Sequence, residues 1–386
     1  MPNTSSAKRR RHIHVWVPDY AWAIGGIQTF SRFIVRALRD VFPDAHIAVF
    51  SKNDTSYPDP VSDPANSFTP MGWWTPTLRT PEFAWELFRS AARERPDFIV
   101  TTHVNFAPVA RWLQKFFRIP YVAVGHGVEV WDIANRRVRS ALCAADCLLA
   151  VSEFTRSRMA STLGVDRNRI AILPDTFDPE EFYPQRKPHF LVKRYGLMAD
   201  QPVILTIARL ASAERYKGYD QLLRALPLVR EQFPNVRYVL GGRGPDRPRV
   251  EALIRELNVA ANVTLAGYVA DHELRSHYNL CDVFAMPSKG EGFGIVFLEA
   301  LGCGKAVLAG NKDGSVDAVL NGALGVLVDP DNVAEIANAL IAIIGRRHSN
   351  GVISDPIALR SRVIDAYGYE HFRETLAEVL SPMARR

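Results

Sequence analysis

Short apolar runs bounded by turn residues alternate along this chain with longer stretches in which apolar residues recur every three or four positions. The first run, Ile13-His14-Val15-Trp16-Val17, is too short for a buried helix and reads as a strand. Similar runs lie at 46–50, 98–101, 121–124 and 147–151. Between the first two, Phe30, Phe33, Ile34 and Leu38 fall on one face of a helix over 27–39. A second series has strands at 203–207, 236–240, 263–266, 283–286, 306–309 and 325–328. Strands alternating with amphipathic helices predict an α/β fold with parallel sheets covered on both faces. Pro174, Pro179, Pro184 and Pro188 punctuate 174–200, so a first domain over 12–184 and a second over 185–365 are expected. Two doubly wound domains joined by one linker would face each other across a cleft, where strand C-terminal ends bind ligands. Residues 51–76 carry neither period and are expected to form an irregular loop.

The chain's 386 residues allow two such domains. With 47% hydrophobic and 23% charged residues it has the composition of a globular enzyme, which excludes a disordered or fibrous protein. Four cysteines are too few for a disulfide framework, and Cys143-x-x-x-Cys147 lacks a second pair at zinc spacing, so no metal site is expected. They read as small buried residues of a reducing compartment. The net charge of +6 is spread evenly, which argues against nucleic acid and suits phosphorylated ligands or an anionic surface. No apolar run is long enough to span a bilayer, and no apolar core follows Lys8-Arg9-Arg10-Arg11. Residues 1–11 are expected to be a disordered basic tail and the protein to be cytoplasmic.

The chemistry concentrates in 287–304, where the strand 283–286 runs into Pro-Ser-Lys-Gly-Glu-Gly-Phe-Gly and then a helix from about Gly294. Glycines let a ligand approach the backbone, and the free N–H groups of a helix start attract anions. Glu291 in the loop and Glu299 in the helix can face one ligand and accept hydrogen bonds from sugar hydroxyls. Backbone for a diphosphate and carboxylates for hydroxyls together read as a sugar-nucleotide site.

This segment resembles the E-x7-E signature of the retaining glycosyltransferases of family 4. The likeness extends over most of the chain. Ile207-Ala208-Arg209-Leu210 with Lys217-Gly218-Tyr219-Asp220, Gly241-Gly242-Arg243-Gly244-Pro245, Leu265-Ala266-Gly267-Tyr268-Val269, and Ile172-Leu173-Pro174-Asp175-Thr176-Phe177-Asp178 follow the family's order. So do Gly25-Gly26-Ile27-Gln28 and Gly125-His126-Gly127 in the first half. The resemblance implies a GT-B fold of two Rossmann-like domains, an acceptor domain and a donor domain, with a C-terminal helix from about 366 to 386 crossing back onto the first. It implies transfer of a hexose from a GDP- or UDP-sugar to a hydroxyl of a glycan or lipid-linked acceptor, with retention, in bacterial polysaccharide or glycolipid synthesis.

In family terms Arg209 and Lys217 clamp the donor diphosphate, a cationic pair suited to the charge growing on the leaving group. Glu299 takes the ribose diol, and Glu291 and His126 meet the donor sugar. Gly25, Gly26, Gly244, Gly267, Tyr268, Val269, Gly292, Phe293 and Gly294 bind the donor, the last three through backbone N–H groups. His103 and Asn105, after the strand 98–101, are weaker acceptor candidates. No cofactor or metal is expected, since the protein supplies the cations itself. Asp329-Pro330-Asp331 has the look of a metal motif but reads better as a turn. Gly304-Lys305-Ala306-Val307-Leu308-Ala309 and Gly314-Ser315-Val316-Asp317 depart from the family pattern at the donor sugar, so donor preference does not carry over.

Residues 107–118 read as a helix with Arg111, Lys115 and Arg118 on one face and Trp112, Leu113, Phe116 and Phe117 as apolar area. Such a helix suits peripheral contact with the inner membrane. It equally suits packing on the sheet with the charges in water, the plainer reading. Trp73 and Trp74, in 71–76, could meet a membrane or an acceptor, or pack. Rival functions are a GT-B phosphorylase or synthase and a non-catalytic sugar-nucleotide-binding subunit.

Overall fold

A computed structural model describes residues 10–21, 25–58, 65–347 and 350–384. The first strand series comprises β1 (His12–Val17), β2 (His46–Ser51), β3 (Ser67–Pro70), β4 (Phe98–Thr101), β5 (Tyr121–Gly125), β6 (Cys147–Ala150) and β7 (Ile170–Ile172). The second comprises β8 (Val203–Ile207), β9 (Arg237–Gly241), β10 (Val263–Gly267), β11 (Val283–Met286), β12 (Ala306–Gly310) and β13 (Val326–Val328). Their sheets run β3-β2-β1-β4-β5-β6-β7 and β10-β9-β8-β11-β12-β13, with every pairing parallel. The strand order turns back at β1/β4 in one sheet and β8/β11 in the other, the switch points where open α/β sheets bind ligands.

Contacts divide the chain into one unit of the residues up to Pro174 and from Phe372 onward, and another of Asp175–His371. Helices cover both faces of each sheet, which is why central strands are continuous apolar runs. In the first unit Trp16, Phe83, Leu87, Leu113, Tyr121 and Met159 form part of one core. In the second, Leu223, Leu226, Tyr238, Leu240, Val283, Leu308 and Leu340 do the same. The helix Gly26–Val41 buries Phe30, Ile34 and Leu38, and the rings of Phe30 and Phe33 meet Phe372 at 5.7 and 6.4 Å.

Four expectations need correcting. Residues 175–184 and 366–371, expected in the first domain, pack with the second unit. The Thr176 hydroxyl donates to Tyr367 O at 2.8 Å, and Arg360 donates to the carbonyls of Pro179 and Phe182. Part of 51–76 is a strand: β3 pairs with β2 from Ala48↔Ser67 to Ser51↔Pro70. Its one large apolar side chain, Phe68, gives no readable period, and the neighbouring strand supplies the pairing. Of the expected tail, residues 1–9 lie outside the described residues, but Arg10 and Arg11 are fixed. Arg10 Nε donates to Asp44 O at 2.9 Å, Arg11 O accepts from His46 N–H at 2.7 Å, and the Arg11 guanidinium lies 5.1 Å from the Phe42 ring centre. The helix Ala107–Phe117 turns Ala107, Ala110 and Leu113 inward but leaves Trp112 and Phe116 exposed, so its apolar residues are not all packed on the sheet. Trp73 and Trp74 are exposed as well.

Candidate functional site

In the second unit the candidate residues collect at the C-terminal ends of strands on either side of β8/β11. Arg209 follows β8. Beyond it a short 3₁₀ turn, Ser212–Lys217, delivers Lys217. Glu291 lies in the loop between β11 and the helix Ile295–Gly302. Lys217 Nζ forms an ion pair with Glu291 Oε1, and Glu214 joins both cations, 2.7 Å from Arg209 Nη2 and 4.0 Å from Lys217 Nζ. Lys217, Glu291 and Glu214 are largely buried, whereas the Arg209 side chain is 76% exposed. Burial disfavours the ammonium of Lys217, but the charge and hydrogen bond of Glu291, with Tyr216 and Glu214, together outweigh it and hold Lys217 above the ordinary lysine range. Both cations thus carry carboxylates as counter-ions.

Asp313, which the sequence reading passed over, fixes the loop. Its Oδ2 accepts from the Ser288 hydroxyl and the Glu291 N–H, both at 2.7 Å. Gly314 N–H donates to Glu291 O at 2.9 Å. The Asp-Gly pair just after β12 was the available turn signal. Phe293 is buried against Tyr367, with ring centres 5.2 Å apart, and Gly294 starts the helix at φ +103°, a conformation that favours glycine. Asp175 is 8% exposed, and its Oδ1 has no hydrogen-bond partner among the described residues. Burial, then the nearby charge of Glu291, pushes its carboxyl up to about 8.

Glu299 sits inside the helix and accepts from the Tyr278 hydroxyl at 2.6 Å. Burial pushes its carboxyl up to about 7, Tyr278 pulling it down and Glu181 and Asp271 adding to the rise. Tyr278, fully buried, was not singled out in the sequence. Gly244, Gly267, Tyr268 and Val269 follow β9 and β10. At Gly244 a side chain would meet Leu210 O at 2.1 Å, so local packing already demands glycine, whereas at Gly267 it would meet nothing within 4 Å. Tyr268 is half exposed with the Arg243 guanidinium 4.7 Å from its ring centre. Asp329 and Asp331 form a turn: Asp331 N–H donates to Asp329 Oδ1 at 2.9 Å, and Lys312 bridges both carboxylates.

In the first unit Gly25, Gly26, His103, Asn105 and His126 follow β1, β4 and β5, again beside the switch point. Gly25 is extended and Gly26 begins the helix, rather than the two forming a tight turn. A side chain at Gly26 would meet nothing within 4 Å among the described residues. His126 Nε2 lies 3.0 Å from Thr102 O, which accepts only, so Nε2 carries the proton and Nδ1 is an acceptor. Its backbone N–H donates to Glu129 Oε1 at 2.5 Å. Burial holds the ring down to about 4 against the Thr102 bond, so it is neutral at pH 7. His103 Nδ1 accepts from Asn105 N–H at 3.2 Å, capping its own turn, and the Asn105 side chain is exposed.

Residues 190–351 match the family model for glycosyl transferases group 1, and residues 24–181 match that for Glycosyltransferase Family 4. Over 275 residues the chain is 35% identical to a GDP-mannose-dependent alpha-(1-6)-phosphatidylinositol monomannoside mannosyltransferase of Mycolicibacterium smegmatis, covering 67% of this chain and 69% of that one. It is 27% identical to a GDP-mannose-dependent monoacylated alpha-(1-6)-phosphatidylinositol monomannoside mannosyltransferase of Corynebacterium glutamicum, covering 95% and 97%. Among solved structures, sucrose-phosphate synthase from Thermosynechococcus elongatus matches 97% of this chain and 100% of its own at a TM-score of 0.77 and 23% identity. That likeness gives the fold as GT-B.

Proposed function

The chain belongs to glycosyltransferase family 4 and is an enzyme of the glycosyltransferase class, and on that premise we propose that it transfers mannose from GDP-mannose to a hydroxyl of a glycolipid, with retention at the anomeric carbon. The observation that carries this reading is the buried Lys217–Glu291 pair, with Arg209 beside it, at the switch point of the second sheet. The mannosyl donor and lipid acceptor rest on what the two mannosyltransferase relatives are named for.

Arg209 and Lys217 receive the diphosphate, exchanging carboxylate counter-ions for phosphate. As the bond from the sugar to the diphosphate breaks, the growing charge falls between two fixed cations. No metal is needed for that step. Backbone N–H groups at Gly292, Phe293 and Gly294 add neutral donors. Glu299 accepts from the ribose hydroxyls, and Glu291, released by Lys217, turns to the sugar. His126 accepts a sugar hydroxyl at Nδ1. The space at Gly267, where no neighbour among the described residues lies within 4 Å of a Cβ, is left for ligand. The acceptor oxygen bonds to the anomeric carbon from the face the diphosphate leaves, and the hydroxyl proton passes to the departing diphosphate oxygen.

Thermal-shift binding against GDP, UDP, ADP and their sugars, with and without EDTA, tests the donor. GDP and GDP-mannose are expected to raise Tm, by the same increment with EDTA as without. A response to UDP alone would change the donor, and a response to inorganic phosphate with none to nucleotides would favour the phosphorylase reading.

We also propose peripheral contact with an anionic membrane through the first unit. Trp112 and Phe116 are 63% and 62% exposed on one helix, their rings 6.1 Å apart, with Arg111 and Lys115 on the same helix. Aromatic area beside basic charge suits a lipid interface. Among the described residues no helix is long and apolar enough to cross a membrane. Co-sedimentation with phosphatidylglycerol vesicles should fall about tenfold or more in Trp112→Ser/Phe116→Ser, while GDP binding stays unchanged. Equal sedimentation of the double variant would remove this surface from the proposal.

A further inference from the structure

Where β1 and β2 begin, a second polar cluster is built into the first unit. His12 and His14 are two residues apart on β1, so both side chains leave the same face of the strand. His46, the first residue of β2, pairs with His12 in the sheet, and their rings are 4.8 Å apart. Glu94, the last residue of the helix Pro76–Glu94, closes the group. Its Oε2 is 2.9 Å from His14 Nε2 and 3.6 Å from His12 Nε2. Its Oε1 is held by Arg93 at 2.7 Å, which leaves Oε2 for the imidazoles.

Two ring nitrogens here are orphaned. His14 is 0% exposed, and neither its Nδ1 nor the buried Nε2 of His12 has a hydrogen-bond partner among the described residues. Burying a polar atom without a partner is unfavourable, so His12 Nε2, 3.6 Å from Glu94 Oε2, is open to a ligand. One donor atom from each of His12, His14 and Glu94 lies within 4.8 Å of the other two, close enough that small side-chain rotations would bring all three to about 2.0–2.2 Å from one cation.

We propose that His12, His14 and Glu94 form a binding site for one divalent first-row transition cation, zinc being the best match to two imidazoles and a carboxylate. A fourth ligand comes from water or from His46, whose Nε2 now lies 3.3 Å from the Ser67 hydroxyl. The site is at the N-terminal end of β1, whereas Gly25 follows its C-terminal end; six residues separate the two ends by roughly 20 Å. The cation therefore pins the end of one helix to the start of β1 and β2. It stabilises the first unit and takes no part in transfer, and the inference stands apart from the donor reading.

The test uses the untagged full chain, stripped with EDTA, dialysed, and titrated with Zn²⁺ against a chromophoric chelator and separately with Co²⁺. One tight equivalent per chain is expected, with an intensified visible band for Co²⁺ bound by nitrogen. Zn²⁺ should raise Tm of the wild type. Glu94→Gln, which keeps an amide beside His14, and His12→Asn should each weaken binding by at least about tenfold and abolish the rise. His272→Ala, at an exposed histidine elsewhere, should change nothing. Equal Zn²⁺ affinity in wild type, Glu94→Gln and His12→Asn, or a Co²⁺ spectrum no different from the free ion, would overturn the site. The wild-type Co²⁺ spectrum decides even if a variant folds poorly.

Discussion

Lys217→Met is expected to lower kcat/KM by about 10²–10³-fold, the usual cost of removing one group that stabilises a developing anion. The methionine fills similar volume, so the loss is of charge. In the free protein Lys217 neutralises Glu291 and stands 4.0 Å from Glu214, so the variant leaves the largely buried Glu291 without its cation and Glu214 with Arg209 alone. Diphosphate would then enter a site of the wrong sign. Because the leaving group gains charge as its bond breaks, kcat should fall more than GDP affinity does. Arg209→Met should do less, since that guanidinium is mostly in water. Steady-state kinetics with GDP binding measured on the same samples separates the two. Wild-type turnover in Lys217→Met would remove the diphosphate clamp from this position.

Glu299→Gln carries the second large effect, and it has two signs. A charged acceptor of a hydrogen bond is worth roughly 1.5–3 kcal/mol, so loss of the carboxylate should weaken GDP binding about 10–100-fold. In the wild type the carboxyl is pushed up to about 7. Affinity for GDP should therefore drop as pH falls from 8 to 6, and Glu299→Gln should lose that dependence. Stability moves the other way. A carboxyl whose pKa is higher folded than unfolded binds extra protons in the folded state between the two values. The free wild type thus gains stability as pH falls from 7 toward 4.5 and lacks it above 7. The glutamine variant has no buried charge to form, so at pH 8 it should be more stable than wild type by roughly 1–3 kcal/mol. Calorimetric GDP titrations and Tm at pH 6 and 8 read both; a variant that binds GDP normally, or loses stability at pH 8, contradicts the assignment.

Much of the fold was legible because central strands are buried on both faces. Phe98–Thr101 and Val283–Met286 are apolar at every or nearly every position, and their limits match the expectation. The sheet edges were harder. Ser67–Pro70 is half polar and Ile170–Ile172 only three residues long, so pairing with a neighbour, rather than their own pattern, makes them strands. Periodicity announced the helix at 107–117 but not that small Ala107 and Ala110 would take the sheet and leave Trp112 and Phe116 outside. At the site, the glycine-rich loop could be read because it directly follows a strand. Glu214, Tyr278 and Asp313 could not, because each acts through a hydrogen bond or ion pair to a residue distant or ambiguous in sequence. Asp175 is similar: the residues after it, Thr176 and Phe177, are held by the return of the chain at Tyr367 and Gly368.

The packing of Phe372 on Phe30 and Phe33 has a consequence for biosynthesis. The first unit is interrupted, and about 200 residues of the second lie between its two pieces. On the ribosome the amino-terminal portion emerges first but lacks the aromatic ring that covers the helix Gly26–Val41. The second unit is one uninterrupted segment and can be finished while the first still waits. The order of completion then runs against the order of synthesis, and a nascent chain stalled just before residue 372 would expose an apolar patch for chaperones to shield.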